Sequence, residues 1–355
     1  MNLACTSDID EAEYERFLDG FASQPGAALA YHYPFYMRFL SDIAYPGSTR
    51  RFVTARDPNG ALVGVLPGVH VKTAHISVWL SLAYFGPNGG ALVPGAAMPG
   101  RAAAVRALVA KARADAQDRG CRSMTMYTPL DAAVDDYRAG LDGPDFEIER
   151  VSQVLPLSAS AAQEMWPRKV RYDVRRAATL GVTVRSIDTE DELEAVWQIY
   201  RRNCEDAGIP LKAREHLVAL YRTAGSHGVF LLAEHQRTIV AGLVCLMGGG
   251  VLSYYLPCTR ADSRPMQPGL LLLDCAVTLA RSAGCGLLNF ESSPGADNSV
   301  YRFKARCGGV EVPYRVFVAL LDPHALDEYR ALTADGLGRE APHAFIVPFG
   351  ALTRH

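Results

Sequence analysis

The sequence has no apolar run that approaches a membrane span; its longest, such as Gly242 to Met247, are far too short. It has no CxxC pair. Eight cysteines are scattered at 5, 121, 204, 245, 258, 275, 285 and 307, a pattern of reduced and partly buried thiols rather than a disulfide framework. None lies in a nucleophile motif, which argues against thiol catalysis. Among nine histidines and 31 glycines there is no HExxH, no histidine pair at metal spacing and no Walker loop, so neither a metal site nor a permanently bound cofactor is expected. Charge of one sign is not in excess. Lysine plus arginine number 36 against 38 acids, a net charge of −2 that gives no long-range pull on nucleic acid. Any polyanion would need a local patch. The opening MNLACTSDIDEAEYERF is acidic and lacks an apolar segment, so the expectation is a cytoplasmic chain without a signal peptide or a membrane span.

What is present is a two-domain composition. The 355 residues exceed one ordinary core, and 49% apolar with 21% charged residues is a globular balance. The two halves also repeat. Arg51 to Gly64 (RFVTARDPNGALVG) and Val229 to Gly242 (VFLLAEHQRTIVAG) align Phe52, Ala55 and Gly64 with Phe230, Ala233 and Gly242, each segment reading as a β-hairpin around a polar turn. Both halves then carry an amphipathic helix closed by Gly-Cys and a short strand: Ala102 to Arg119 before Gly120-Cys121, and Leu270 to Ala283 before Gly284-Cys285. With SVWLSLAYFG and VLSYYLP as third strands, each half reads strand, strand, strand, helix, strand. That order makes an α/β (mixed α+β) fold of two tandem domains, each a twisted mixed sheet with packed helices. The domains are expected at 1–157 and 158–324, with the C-terminal helix and tail, 325–355, returning to the first.

The segment Glu164 to Leu180 reads as a helix with Trp166, Val170, Val174 and Ala177 on one face. Arg168, Lys169, Arg171, Arg175 and Arg176 occupy the rest, opposed only by Glu164 and Asp173. This is either a solvated outer face or a patch for phosphates. Read as W-P-R-K-x-R-x-x-x-R-R-A-x-x-x-G, it resembles the corresponding segment of the FemAB-like branch of the GNAT acyltransferase superfamily. Three further stretches resemble that branch in order: VWQIYRRNCEDAGIPLKAREHLVALYR, a helix pair turning at Gly208-Ile209-Pro210; FLLAEHQRTIVAGLVCLMGGGVLSYYLP; and GCGLLNFESSPGADNSVYRFKARCGGVEVPY, with Tyr301, Phe303, Lys304, Gly308 and Gly309 at the hallmark positions. Cys307 departs from the aromatic usual there. The resemblance spans most of residues 30 to 320, more weakly in the first half, where VGVLPGV and SLAYFGPNGG match in position and type.

The resemblance implies two GNAT-like domains and amide bond formation, in its best-known members from aminoacyl-tRNA to amines of peptidoglycan precursors. Such a reaction needs a held amine, donors for the oxyanion and a place for donor phosphates. In a GNAT-type sheet two strands splay; here they would be Val251 to Pro257 and Gly286 to Ser292, in the second half. Glu291 would accept the amine proton there, and Tyr254 or Tyr255 would either protonate the leaving group or pack in the sheet. By the resemblance Lys304 lies near donor phosphate or the reacting ester, on a turn where its loss leaves folding intact. Ser292, Asp297, Tyr301 and Phe303 are the substrate-side candidates, and Arg302 joins the basic helix on the donor side. The usual pyrophosphate loop, [QR]-x-x-G-x-[GA], is broken here: TRADSRPMQPGLLLL supplies Arg264, Gln267 and Gly269 at a different spacing. An aminoacyl-tRNA donor, held by its acceptor end, therefore leads over an acyl-CoA or carrier-protein thioester. The acceptor would be a small amine or peptide. The reading of another class is a binding or scaffold protein that kept the fold without the activity.

Overall fold

The computed structural model describes residues 3–7, 9–21, 24, 26–82, 84, 89–95, 100–130, 134–157, 165–293, 298–341 and 344–353. The chain divides into two compact units, residues 1–150 with 313–355, and residues 151–312. The divisions fall earlier in the chain than positions 157 and 324, and the C-terminal residues belong to the first unit.

The first unit has the strand order β1 (Ala4–Thr6), β2 (Thr49–Arg56), β3 (Leu62–Lys72), β4 (Ser77–Leu80), β5 (Ser123–Tyr127), closed by β12 (Val310–Leu320) against β5. The second has β7 (Thr183–Ser186), β8 (Gly228–His235), β9 (Thr238–Gly248), β10 (Val251–Thr259), β11 (Leu287–Ser292), closed by β6 (Phe146–Pro156) against β11. Each sheet is antiparallel except for one parallel pair, β4 with β5 and β10 with β11, bridged by a crossover helix. The two orders are the same. Two strands in each sheet go beyond the repeat read from the sequence: the outer β1 and β7, and the closing β12 and β6. Each closing strand follows one half in sequence and completes the sheet of the other.

The crossover helices are Arg101–Asp118 and Pro268–Ser282. Val105, Leu108, Val109 and Ala112 on the first, and Leu270, Leu273, Val277 and Ala280 on the second, are buried against their own sheets. Both end in the same cap. Gly120 (φ 68°) and Gly284 (φ 82°) take the left-handed conformation that a side chain disfavours, and the amides of Cys121 and Cys285 close back on Ala116 and Ala280, both at 2.9 Å. The two cysteines behind the caps are buried in their cores, and all eight in the chain are free thiols. At the C-terminus, residues 325–340 are two helical pieces broken at Thr333 (φ 62°), with Tyr329 buried and its hydroxyl 2.8 Å from Ser123 Oγ.

The basic helix runs Arg168–Thr179, shorter than the Glu164–Leu180 expected, and Glu164 lies outside the described residues. Pro167 accounts for the start: a residue before proline is driven out of the helical region, so the first turn is built after it. Trp166, Val170, Val174 and Ala177 are all buried.

Gly242 marks how closely helix Glu190–Ala207 lies on β9, since a Cβ there would come within 2.3 Å of the Val196 side chain. Gly242→Ala should therefore lower unfolding stability by about 1–3 kcal/mol, the range for overpacking a filled core. Adding Val196→Ala should recover part of that loss, so that the two substitutions are less than additive in denaturant titrations. A Gly242→Ala protein with the wild-type midpoint would mean that this helix is not held against the strand.

Candidate active site

β10 and β11 pair over three positions only, Val251 to Ser253 against Leu287 to Asn289, and then part. Two local features turn them away from each other. In β10 the register against β9 jumps between Tyr254 (opposite Cys245) and Leu256 (opposite Val244), so that Tyr255 bulges out of the ladder. In β11 the ladder with β6 breaks between Asn289 and Ser292, and Glu291 adopts φ 65°, strained for a residue with a side chain. The Asn289 amide holds that conformation. Its Oδ1 accepts the Glu291 backbone N–H (2.9 Å) and the Ser152 hydroxyl (2.8 Å), and its Nδ2 donates to the Glu291 carboxylate (3.0 Å). In the first unit the equivalent parting of β4 and β5 is laced together: the Ser81 N–H bonds the Thr125 carbonyl (3.0 Å) and Ser81 Oγ accepts the Tyr127 N–H (2.8 Å).

Lys304 is not on an exposed turn, as the sequence led us to expect. It lies on helix Ser299–Arg306, 3% exposed, and its ammonium donates to the carbonyls of Glu291 (3.0 Å) and Ser292 (2.7 Å). The helix is capped by Asn298, whose side chain accepts the Val300 N–H, and this puts Lys304 on its inner face. Burial lowers the lysine pKa to about 8, against the pull of the Glu291 carboxylate. A second lysine, Lys212, has the same relation to β10, with Nζ 3.4 Å from the Tyr255 carbonyl and 4.5 Å from the centre of its ring. Neither Lys212 nor Asn289 was singled out from the sequence. Their only signals were a lysine in the turn after Pro210 and a lone amide in the apolar run LLNFE.

Glu291, Ser292, Lys304 and Tyr255 thus come together at the parted strands. Tyr254 does not: its ring is core, edge-on to Phe290 at 5.8 Å and stacked on Phe303 at 6.5 Å, and burial keeps its hydroxyl protonated. The packing alternative is the one realised there, and Phe303, half-buried, is its stacking partner. Tyr301 turns its hydroxyl to Glu311, Arg302 is exposed, and Asp297 lies outside the described residues. Cys307, in place of an aromatic, fills the same core, and burial lifts its thiol to about 12.

The donor-side candidates gather at the start of helix Pro268–Ser282. Gln267 precedes it in the left-handed conformation (φ 59°), with Arg264 exposed on the short 3-10 turn before it and Gly269 in the first helical turn. Arg176 reaches the Pro265 carbonyl (3.1 Å), and Arg306, which the sequence reading passed over, donates to Gln267 Oε1 (3.2 Å). Asp173, buried, anchors Lys169 (3.2 Å) and Arg306 (3.8 Å). Arg168, Arg171 and Arg175 make no ion pair among the described residues. Few backbone donors are left in the loop: Pro265 and Pro268 have none, and the N–H groups of Gln267 and Leu270 are taken by Arg264 O and Gln267 O. No cluster suited to a metal ion, and no helix long and apolar enough to cross a membrane, occurs among the described residues.

Replacing Lys304 by Met removes two charge-assisted bonds, each class of contact contributing about 1.5–3 kcal/mol. Both turnover and stability should fall, turnover by at least roughly tenfold. The sign of the pH effect also follows. The folded lysine gives up its proton near 8 and an unfolded one near 10.5, so between these values unfolding takes up a proton and stability rises with pH. Thermal unfolding from pH 7 to about 10 should therefore show wild type gaining on Lys304→Met; parallel curves would place the ammonium in solvent.

Residues 167–305 match the acetyltransferase (GNAT) domain family. No curated protein matches the chain. Among solved structures, FemX superposes with a TM-score of 0.71 at 14% identity, covering 93% of this chain and all of that one (100%). A tandem GNAT protein from the clavulanic acid biosynthesis pathway, solved without AcCoA, gives 0.57 at 16% identity over 91% and 99% of the two chains. The C-terminal domain of a putative lysylphosphatidylglycerol synthetase from Agrobacterium fabrum gives 0.53 at 14% identity over 87% and 92%. Residues 167–305 thus carry a GNAT acetyltransferase domain, and the chain as a whole has the fold of FemX and of tandem GNAT proteins.

Proposed function

We propose that the protein is an N-acyltransferase that joins an aminoacyl group, taken from the acceptor end of a charged tRNA, to the amine of a small molecule or peptide of cell-wall or natural-product metabolism in the cytoplasm. The observation that carries the acyl-transfer reading is the opening between β10 and β11, with a carboxylate fixed at its rim. An acyl ester seated there lies with its carbonyl between the strand ends that part after Ser253 and Asn289. The acceptor amine attacks the carbonyl carbon, its proton passes to Glu291, and the C–O bond breaks as the C–N bond forms. The leaving oxygen takes a proton, and of the two tyrosines considered, Tyr255 is the one we assign to this end. Lys304 holds the β11 rim in place. The donor side supports tRNA over CoA, because the loop before helix Pro268–Ser282 has lost the main-chain donors that would grip a pyrophosphate, while Arg168, Arg171 and Arg175 offer charge without partners among the described residues. A catalytically silent scaffold is disfavoured by the same opening: Tyr254 and Glu291 are not bonded to one another across a closed sheet.

An acyl-CoA donor keeps one observation in its favour, the helix start with Gly269 beside Arg264 and Arg306, since such an end attracts anions without a dedicated loop. Offering charged tRNA and acyl-CoA side by side separates the two. Amide formation should require the tRNA and stop with ribonuclease; ribonuclease-insensitive product transfers the assignment to the thioester. Binding of tRNA should weaken with salt at a log–log slope of roughly −0.7 per contact to its single-stranded end. Arg175→Glu with Arg176→Glu should flatten that slope and lower the affinity, and an unchanged slope would free the helix of any donor role.

A further inference from the structure

The turn between helices Glu190–Ala207 and Arg214–Thr223 is irregular, yet Lys212 within it is only 9% exposed. The preceding helix fixes its main chain: the Trp197 indole donates to the Lys212 carbonyl (3.1 Å), and the Lys212 N–H donates to the Tyr200 hydroxyl (3.4 Å). From that anchorage the side chain runs to β10 and stops over the ring and carbonyl of Tyr255, the residue displaced at the bulge. Burial draws this ammonium down to about 8, and the first charge acting against that shift is the Glu291 carboxylate. The same carboxylate opposes the same shift in Lys304. The last pair of the ladder is Ser253 with Asn289, so Tyr255 and Glu291 each lie two residues beyond it on the parted strands, and a buried ammonium from a different element is fastened to the carbonyl of each. A buried lysine is costly to keep charged, and a methionine would fill the space more cheaply. Holding a carboxylate ionised in the same desolvated place is a task that needs the charge.

We propose that Lys212 is a positioning residue of the transfer site, keeping the Glu291 carboxylate anionic at the opening while pinning the Tyr255 bulge. This rests on the reading of Glu291 as the proton acceptor. Lys212 itself makes and breaks no bond; its positive charge favours the form of Glu291 that can take the proton of the attacking amine. Among the described residues, the titratable groups packed around the pair include Lys304 from helix Ser299–Arg306, Tyr254 and Tyr255 from β10, and Tyr200 and Cys204 from helix Glu190–Ala207; β6 contributes the neutral Ser152. Burial keeps Tyr254 and Cys204 protonated, and Lys212 and Lys304 are described cations that act on Glu291.

The test follows the Glu291 carboxyl directly, by carbon-13 NMR of the full chain labelled at glutamate Cδ, with its signal assigned by its loss in Glu291→Gln. Lys212→Met should raise the Glu291 titration midpoint by about one pH unit or more. Lys212→Arg, which keeps the charge, should leave it near wild type. In turnover, Lys212→Met should move the acid limb of kcat/KM in the same direction and lower kcat more than it changes KM. Should Lys212→Met fail to fold, Lys212→Gln keeps a polar group at the Tyr255 carbonyl and gives the same comparison. An unmoved midpoint in the charge-free variant overturns the proposal. A wild-type protein that forms amide with neither donor overturns the functional reading alone, because the titration measures the coupling without turnover.

Discussion

A parallel ladder that stops after three residue pairs leaves main-chain donors and acceptors with nothing opposite them, and a buried strand end cannot leave them so without cost. In the second unit this constraint is met by side chains, two of them crossing from other elements and one from β11 itself. Lys304 satisfies the carbonyls of Glu291 and Ser292, Asn289 satisfies the Glu291 amide, and Lys212 lies on the carbonyl of the bulged Tyr255. The opening is therefore a built feature, and its shape depends on a few polar contacts in a low-dielectric place, where each is worth more than on the surface. The strain at Glu291, a residue with a side chain at φ 65°, is held by the same contacts.

The first unit shows what the same topology does without that demand. Its sheet has the same order and the same crossover helix, cap and buried cysteine, but Ser81 spans the parting of β4 and β5 with its own main chain and hydroxyl. There Ser81 carries the pairing one residue further with its main chain and takes up the Tyr127 N–H with its hydroxyl. Because β6 and β12 each close the sheet of the other half, neither half of the sequence contains all the strands of one sheet.

On the proposed donor side, charge is arranged around a helix start rather than along a loop. Asp173, buried on the inner face of the basic helix, takes up Lys169 and Arg306 and so orders a cationic rim. Arg176 and Arg306 meet the segment Pro265 to Gln267. The positive end of the helix dipole adds to them. Prolines at 265 and 268 remove main-chain donors from the same place, which shifts the recognition of any anion from backbone to arginine side chains.

Periodicity alone placed the hairpins, the two crossover helices with their Gly-Cys caps and the apolar face of the basic helix, because those signals are local: a 3.6-residue repeat, a two-residue alternation, a glycine where φ must be positive. The resemblance brought Glu291, Ser292 and Lys304 into view as neighbours in one segment. Local patterns could not decide which way a side chain turns, nor which strands sit together across a long stretch of sequence. Tyr254 and Tyr255 are adjacent in an apolar run, and only the bulge sends one into the core and leaves the other at the opening. Lys304 reads as a surface residue until a helix capped by Asn298 turns it inward. Lys212 gives little signal beyond its place after Pro210, since the carbonyl it meets is 43 residues away. The exchange of β6 and β12 is likewise invisible to short-range pattern, because strand pairing is decided by which edge is left open once both sheets have formed.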